Sequence, residues 1–161
     1  MLLAAITAYS VSVFIHITAV VVGFGATFAE AIMFPVAQKL DPKHLPYVHR
    51  LQMAINQRLA TPALVVVIAT GIYQVSDGGW GFGEFWISAT FLIVIVIGGL
   101  LGAYFVPSDR RLGAQVEHDL AETGAPSAGY LAAARKQGAV GAFTGFLLVL
   151  AIFLMVTKPG A

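Results

Sequence analysis

Four residues that can carry or shape chemistry recur at intervals of seven near the start of the chain: Tyr9, His16, Gly23 and Glu30. Seven residues is close to two helical turns, so in a helix these four share one face. No charged residue precedes Glu30. An ionisable group in so apolar a stretch is costly unless it faces protein, so the stripe is expected to look inward. His16 lies in the middle of it. A neutral imidazole keeps one nitrogen lone pair, which accepts a hydrogen bond or binds iron. Its plainer use is a hydrogen bond to a hydroxyl or carbonyl on a neighbouring helix.

The other side chains limit what else His16 can join. His44 and His49 follow the first helix, and His118 lies in a polar stretch far along the chain. Their depths differ and no short ligand spacing links them, which argues against a bis-histidine or multi-histidine metal site. There are no cysteines, so disulfides, thiolate metal sites and cysteine nucleophiles are excluded. No serine-nucleophile motif, phosphate-cradling loop or paired-carboxylate site is present. Glu30 and Arg58 both fall near helix ends on one side, and a structural ion pair between them is expected. Separate snorkelling to headgroups is the alternative. Tyr9 and Tyr104 read as interfacial residues.

The elements that must position these residues are membrane helices. Of 161 residues, 58% are hydrophobic and 11% charged, against about 25% charged in a soluble domain. The expected fold is all-α: a four-transmembrane-helix bundle with cytoplasmic helical extensions, forming a single domain over residues 1–161. The spans are placed at about 5–34, 59–76, 85–106 and 137–157; the last three are near the ~20 residues that cross a bilayer, and the first is longer, so it must tilt or project. The N-terminus lacks a basic n-region and reads as a retained helix running from about Leu2 to Leu40.

Asp41-Pro42 is a stop and restart, with Asp41 as cap and Pro42 at the first helical position. Leu45, Val48, Gln52, Ile55 and Leu59 then follow helical spacing on an amphipathic surface segment. Trp80 and Trp86, around a glycine-rich turn, fit an interfacial aromatic belt. Pro107-Ser108 is expected to end the third span. A short helix from Ser108 to Glu122, a turn at Gly124 and a last helix from Ser127 to about Val156 follow. Gly98, Gly99, Gly102, Gly138, Gly141 and Gly145 suit close helix packing or room for a flat cofactor.

Lysine and arginine set orientation. The first connection carries Lys39, Lys43, Arg50 and Arg58; the third carries Arg110, Arg111, Arg135 and Lys136; the second carries none. Both basic connections are therefore expected in the cytoplasm, with both termini outside. A net charge of +1 without a basic run gives no reason to expect nucleic acid. The bilayer is the expected partner, with a membrane-protein partner or a second copy open.

The stretch HITAVVVGFGATFAE, with Thr70-Gly71 at the end of the second span, resembles the copper-resistance-D-type four-helix membrane proteins. It also resembles a related family of uncharacterised bacterial integral membrane proteins. The resemblance implies an inner or plasma membrane location and a haem b ligated in some members by the residue matching His16. Gly25-Ala26 matches the small pair of that pattern, and Gly23 stands where the pattern has a tryptophan; both would lie beside the cofactor. The protoporphyrinogen-oxidising proteins share this first-helix layout but carry a basic third-helix residue, and the span 85–106 has none. Three functions stay open: a non-catalytic accessory or assembly component of a membrane complex, a haem-b redox protein centred on His16, or a small transporter lined by Tyr9, His16 and Glu30.

Overall fold

The computed structural model describes residues 6–160. These form α1 (Ala8–Leu40), α2 (Leu45–Ile55), α3 (Thr61–Asp77), α4 (Phe85–Gly99), α5 (Val106–Thr123) and α6 (Ala128–Thr157). Among the described residues there is no strand. Two π turns, Asn56–Ala60 and Leu100–Phe105, fuse α2 to α3 and α4 to α5. The result is four rods long and apolar enough to cross a membrane: Ala8–Leu40, Pro42–Asp77, Phe85–Thr123 and Ala128–Thr157. The fold is the expected all-α bundle.

Capping fixes where the first rod begins. The Thr7 side chain accepts from the Ser10 amide, and the Ser10 hydroxyl accepts from the Thr7 amide. This reciprocal box satisfies two donors that a helix start leaves free. Ile6 and Thr7 are not helical, so α1 starts later than expected; the proposed start at Leu2 lies outside the described residues. At the other end Asp41 accepts from the Lys43 amide at 2.9 Å. That bond holds the Asp41 carboxyl below its usual range.

Pro107 does not end the third rod, contrary to expectation. A proline in an α-helix lacks a donor and crowds the carbonyl four residues back. Here the helix widens just before it. The amide of Val106 reaches Leu101 O, and in the second rod the amide of Thr61 reaches Asn56 O. Each is an i to i−5 bond of a π turn, and each immediately precedes a proline, Pro107 or Pro62. The same device carries both rods out of their apolar parts and into the extensions.

α1 packs along α3, α4 along α6 and α2 along α5. One core lies in the apolar half, around Phe24, Leu64, Val67, Ile87, Ile97 and Leu148. A second lies at the basic end, around Ala37, Leu45, Val48, Leu112, Val116 and Tyr130. Phe14, Val21, Ile32, Leu92, Ile95 and Phe146 are exposed on the outside. In lipid such residues need no cover, and helix contacts rely on close packing instead. Gly23 gives the closest: a β-carbon there would stand 2.1 Å from Ala63 Cβ. Gly98 similarly faces Leu64.

Candidate functional site

The face of α1 that packs on α3 carries buried Ser12, His16 and Gly23. Gln74 of α3 donates to Ser12 O and Ser12 Oγ, both at 3.3 Å. One turn deeper, His16 Nδ1 lies 2.8 Å from Thr70 Oγ1. The Thr70 hydroxyl has one proton, and its shortest contact is with Val66 O at 2.6 Å, the carbonyl one helical turn back. With that proton committed, Thr70 Oγ1 accepts and His16 Nδ1–H donates. In that arrangement Nε2 holds the lone pair of the ring. His16 is 7% exposed, and its Nε2 has no hydrogen-bond partner among the described residues.

His16 stands on the wall of an apolar cavity of about 70 Å³, shared with Phe24, Gly71, Trp86, Leu148 and Ile152. Gly71 keeps α3 small beside the imidazole: a β-carbon there would lie 3.7 Å from His16 Cε1. Ile152 is half exposed, so this wall reaches the lipid-facing surface. Trp86 is buried against Trp80 in an edge-to-face pair at 5.4 Å, with Lys158 Nζ 4.6 Å above the Trp80 ring. Only Trp80 is thus placed as an interfacial residue would be. The indole Nε1–H of Trp86 is buried and unpartnered among the described residues. Both residues line the cavity, whose exposed surface is apolar.

Haem does not fit this site. Nε2 with Nδ1 anchored suits an axial ligand. Cofactor-sized ligands occupy cavities of about 300–1,000 Å³, several times the space beside His16. Gly23 and Gly25 do not widen it. The space at Gly23 is filled by Ala63, a β-carbon on Gly25 would meet nothing within 4 Å, and neither glycine lines the cavity beside His16.

The Glu30–Arg58 pair does not form. The ion pairs among the described residues are Lys43–Asp41 and Arg50–Glu117, with histidine–carboxylate contacts at His49–Asp109 and His118–Glu122. Arg58 is exposed on the π turn, whose buried residues are Asn56 and Ala60. The π turn inserts a residue and rotates Arg58 off the face that α-helical spacing assigns to it. Glu30 Oε1 is buried without a hydrogen-bond partner among the described residues. The seven-residue stripe is also no continuous path, because Gly23 against Ala63 closes it between His16 and Glu30.

A second buried polar group, not singled out by sequence, ties the basic end together. His49 is 2% exposed. Its Nδ1 lies 3.2 Å from Asp109 Oδ1 and its Nε2 2.8 Å from Tyr130 Oη. Gln137 donates to Asp109 Oδ1, and Ser108 donates to Gln137 Oε1. Phe34 of α1 packs on both the His49 and Tyr130 rings. Helices α1, α2, α5 and α6 are thus joined at one point. The sequence signal was the spacing of His49 beside Leu45 and Val48 on the buried face of α2. Among the described residues no group of three or more His, Cys, Asp or Glu side chains is arranged to hold a metal ion.

A family of predicted integral membrane proteins, DUF2269, matches residues 10–159. The chain belongs to that family. It is an integral membrane protein; the match begins two residues into the first rod and takes in the other three rods and both buried histidines. No curated protein and no solved structure matches it.

Proposed function

We propose that the protein is a non-catalytic accessory component of a membrane complex, and that its working part is a ligand site at His16. The observation that carries this is a buried histidine that lines an apolar cavity and whose Nε2 has no hydrogen-bond partner among the described residues. Among the described residues no other histidine, carboxylate, lysine or arginine lines that cavity. A proton accepted there has no titratable neighbour to pass to, which supports binding over turnover. Location in a bacterial inner or plasma membrane, with the basic end cytoplasmic and both termini outside, accords with the lysine and arginine distribution. A reporter fused after Ala161 should be active only outside the cytoplasm.

The test is what the protein retains on purification. Wild type and His16→Leu are purified from membranes in mild detergent, and released small molecules are compared by mass spectrometry. A species held by wild type and lost from the variant is expected, with no Soret band from either. Equal retention by both, or a haem spectrum lost with His16, overturns the proposal.

A further inference from the structure

Helices α5 and α6 meet in a seam at the basic end of the bundle, and side-chain contacts fix its register. Gln137 of α6 bonds to both Ser108 and Asp109 of α5. Nearer the turn that joins the two helices, a β-carbon on Gly129 would lie 3.7 Å from Gln115 Nε2. Gln115 and Gly129 therefore meet across the seam. Arg111 precedes Gln115 by four residues, and Lys136 follows Gly129 by seven. These steps are about one and two helical turns, so Arg111 and Lys136 share the faces that flank the seam. Between the two contacts they fall within a turn of each other along it. Both are exposed. Neither is in an ion pair among the described residues. The carboxylates of α5 are all engaged elsewhere: Asp109 with His49 and Gln137, Glu117 with Arg50, Asp119 with the Ser127 amide, Glu122 with His118. Helix α6 carries no aspartate or glutamate. The pair also sits where the rods change character. No charge lies between Phe85 and Val106 before it, nor between Gly138 and Thr157 beyond it. Cations at such a border lie at the headgroup layer of a bilayer.

We propose that the α5–α6 seam holds the headgroup of an anionic phospholipid, with Arg111 and Lys136 on its phosphate. A guanidinium can give two parallel N–H bonds to phosphate oxygens, and an ammonium adds a second positive charge. Clusters of basic residues beside membrane helices recognise acidic headgroups in this way. Phe143 follows Lys136 by seven residues, on the same face of α6, and is exposed. It offers an acyl chain an apolar surface directly below the phosphate. A zwitterionic lipid brings a cation of its own beside the pair and gains less. Free phosphate has no chain to lay on α6. The site is separate from the His16 cavity, which none of these residues lines.

The experiment uses purified full-length protein in mild detergent, with bound lipid counted by native mass spectrometry. Phosphatidylglycerol and phosphatidylcholine are titrated separately, and inorganic phosphate is added as a competitor. Phosphatidylglycerol should bind about tenfold more tightly than phosphatidylcholine, and inorganic phosphate should not displace it. Arg111→Gln combined with Lys136→Gln should weaken phosphatidylglycerol by about tenfold and leave phosphatidylcholine unchanged. Lys39→Gln combined with Arg58→Gln removes the same charge from exposed, unpaired positions at the same end. That control should weaken phosphatidylglycerol far less. An equal loss in the two double variants would show diffuse attraction to the basic end and overturn the proposal. Equal affinity for the two lipids, or displacement by inorganic phosphate, overturns it as well. Should the Arg111/Lys136 double variant fail to fold, the single variants Arg111→Gln and Lys136→Gln decide, and unchanged phosphatidylglycerol binding in both rejects the site.

Discussion

His16 and His49 are both buried histidines between helices, yet they are wired in opposite ways. His49 has a partner on each nitrogen, Asp109 and Tyr130. His16 has a partner on Nδ1 only. A free phenol side chain titrates near pH 10, so the Tyr130 hydroxyl carries its proton at neutral pH. It can donate to His49 Nε2 while Nδ1–H donates to Asp109. His49 therefore completes a network that holds helix ends together, and His16 leaves an unfilled position. A doubly bonded buried ring reads as architecture; a singly bonded one beside a cavity reads as a place for something else.

The largest effect that separates the two is the loss of His49. His49→Leu removes a partner from Asp109, whose Oδ2 is already buried and unpaired, and strands the Tyr130 hydroxyl. Leaving a buried hydrogen-bonding group without its partner costs about 1–3 kcal/mol, more where it is charged, and this substitution strands two. Thermal or denaturant unfolding in detergent should show a loss of that size. A change below about 1 kcal/mol would mean that the network does not hold the basic end, and the contrast with His16 would fall.

An intermediate effect tests the barrier between the two regions. Gly23 lies on α1 between the His16 level and the basic end, and its missing side chain lets α3 approach. Gly23→Ala puts a methyl against Ala63 Cβ, where neither atom can swing aside. Overpacking of this kind costs about 1–3 kcal/mol. Gly25→Ala meets nothing within 4 Å and should be neutral, or stabilising by up to about 1 kcal/mol from helix propensity. If both substitutions behave alike in unfolding, α1 and α3 are not in the close contact that closes the stripe.

Much of this was legible in the sequence, for physical reasons. Four apolar rods follow from runs long enough to cross a bilayer, and the inward face of α1 follows from the cost of putting His16 in lipid. The hydroxyl partner of His16 was foreseeable as a type, though not as Thr70. The π turns were not legible, because the residues before Pro62 and Pro107 keep ordinary helical spacing. Missing them misplaced Arg58 and broke the third rod at Pro107. The His49 network was missed because Ser108, Asp109, Tyr130 and Gln137 are far from His49 in sequence, and only packing of α2, α5 and α6 brings them together. Trp86 was read as interfacial because an indole near a helix start usually is; its burial depends on Trp80 and on α6 lying across it.

The smallest change in stability is expected at His16 itself. His16→Leu removes one hydrogen bond, the Nδ1–H donated to Thr70, with a net worth of about 0.5–1.5 kcal/mol. It orphans no donor, because the Thr70 hydroxyl already donates to Val66 O. It also removes Nε2, a buried lone pair that the folded chain leaves unsatisfied, and that gain offsets part of the loss. Without ligand, the variant should therefore unfold within about 1 kcal/mol of wild type. With a bound ligand the two should separate, since only wild type gains stability from binding, by an amount that grows with free ligand concentration. Unfolding measured before and after delipidation checks this. A loss as large as that of His49→Leu in the delipidated protein would show that His16 holds the fold in the same way, and the difference between the two histidines would be one of degree.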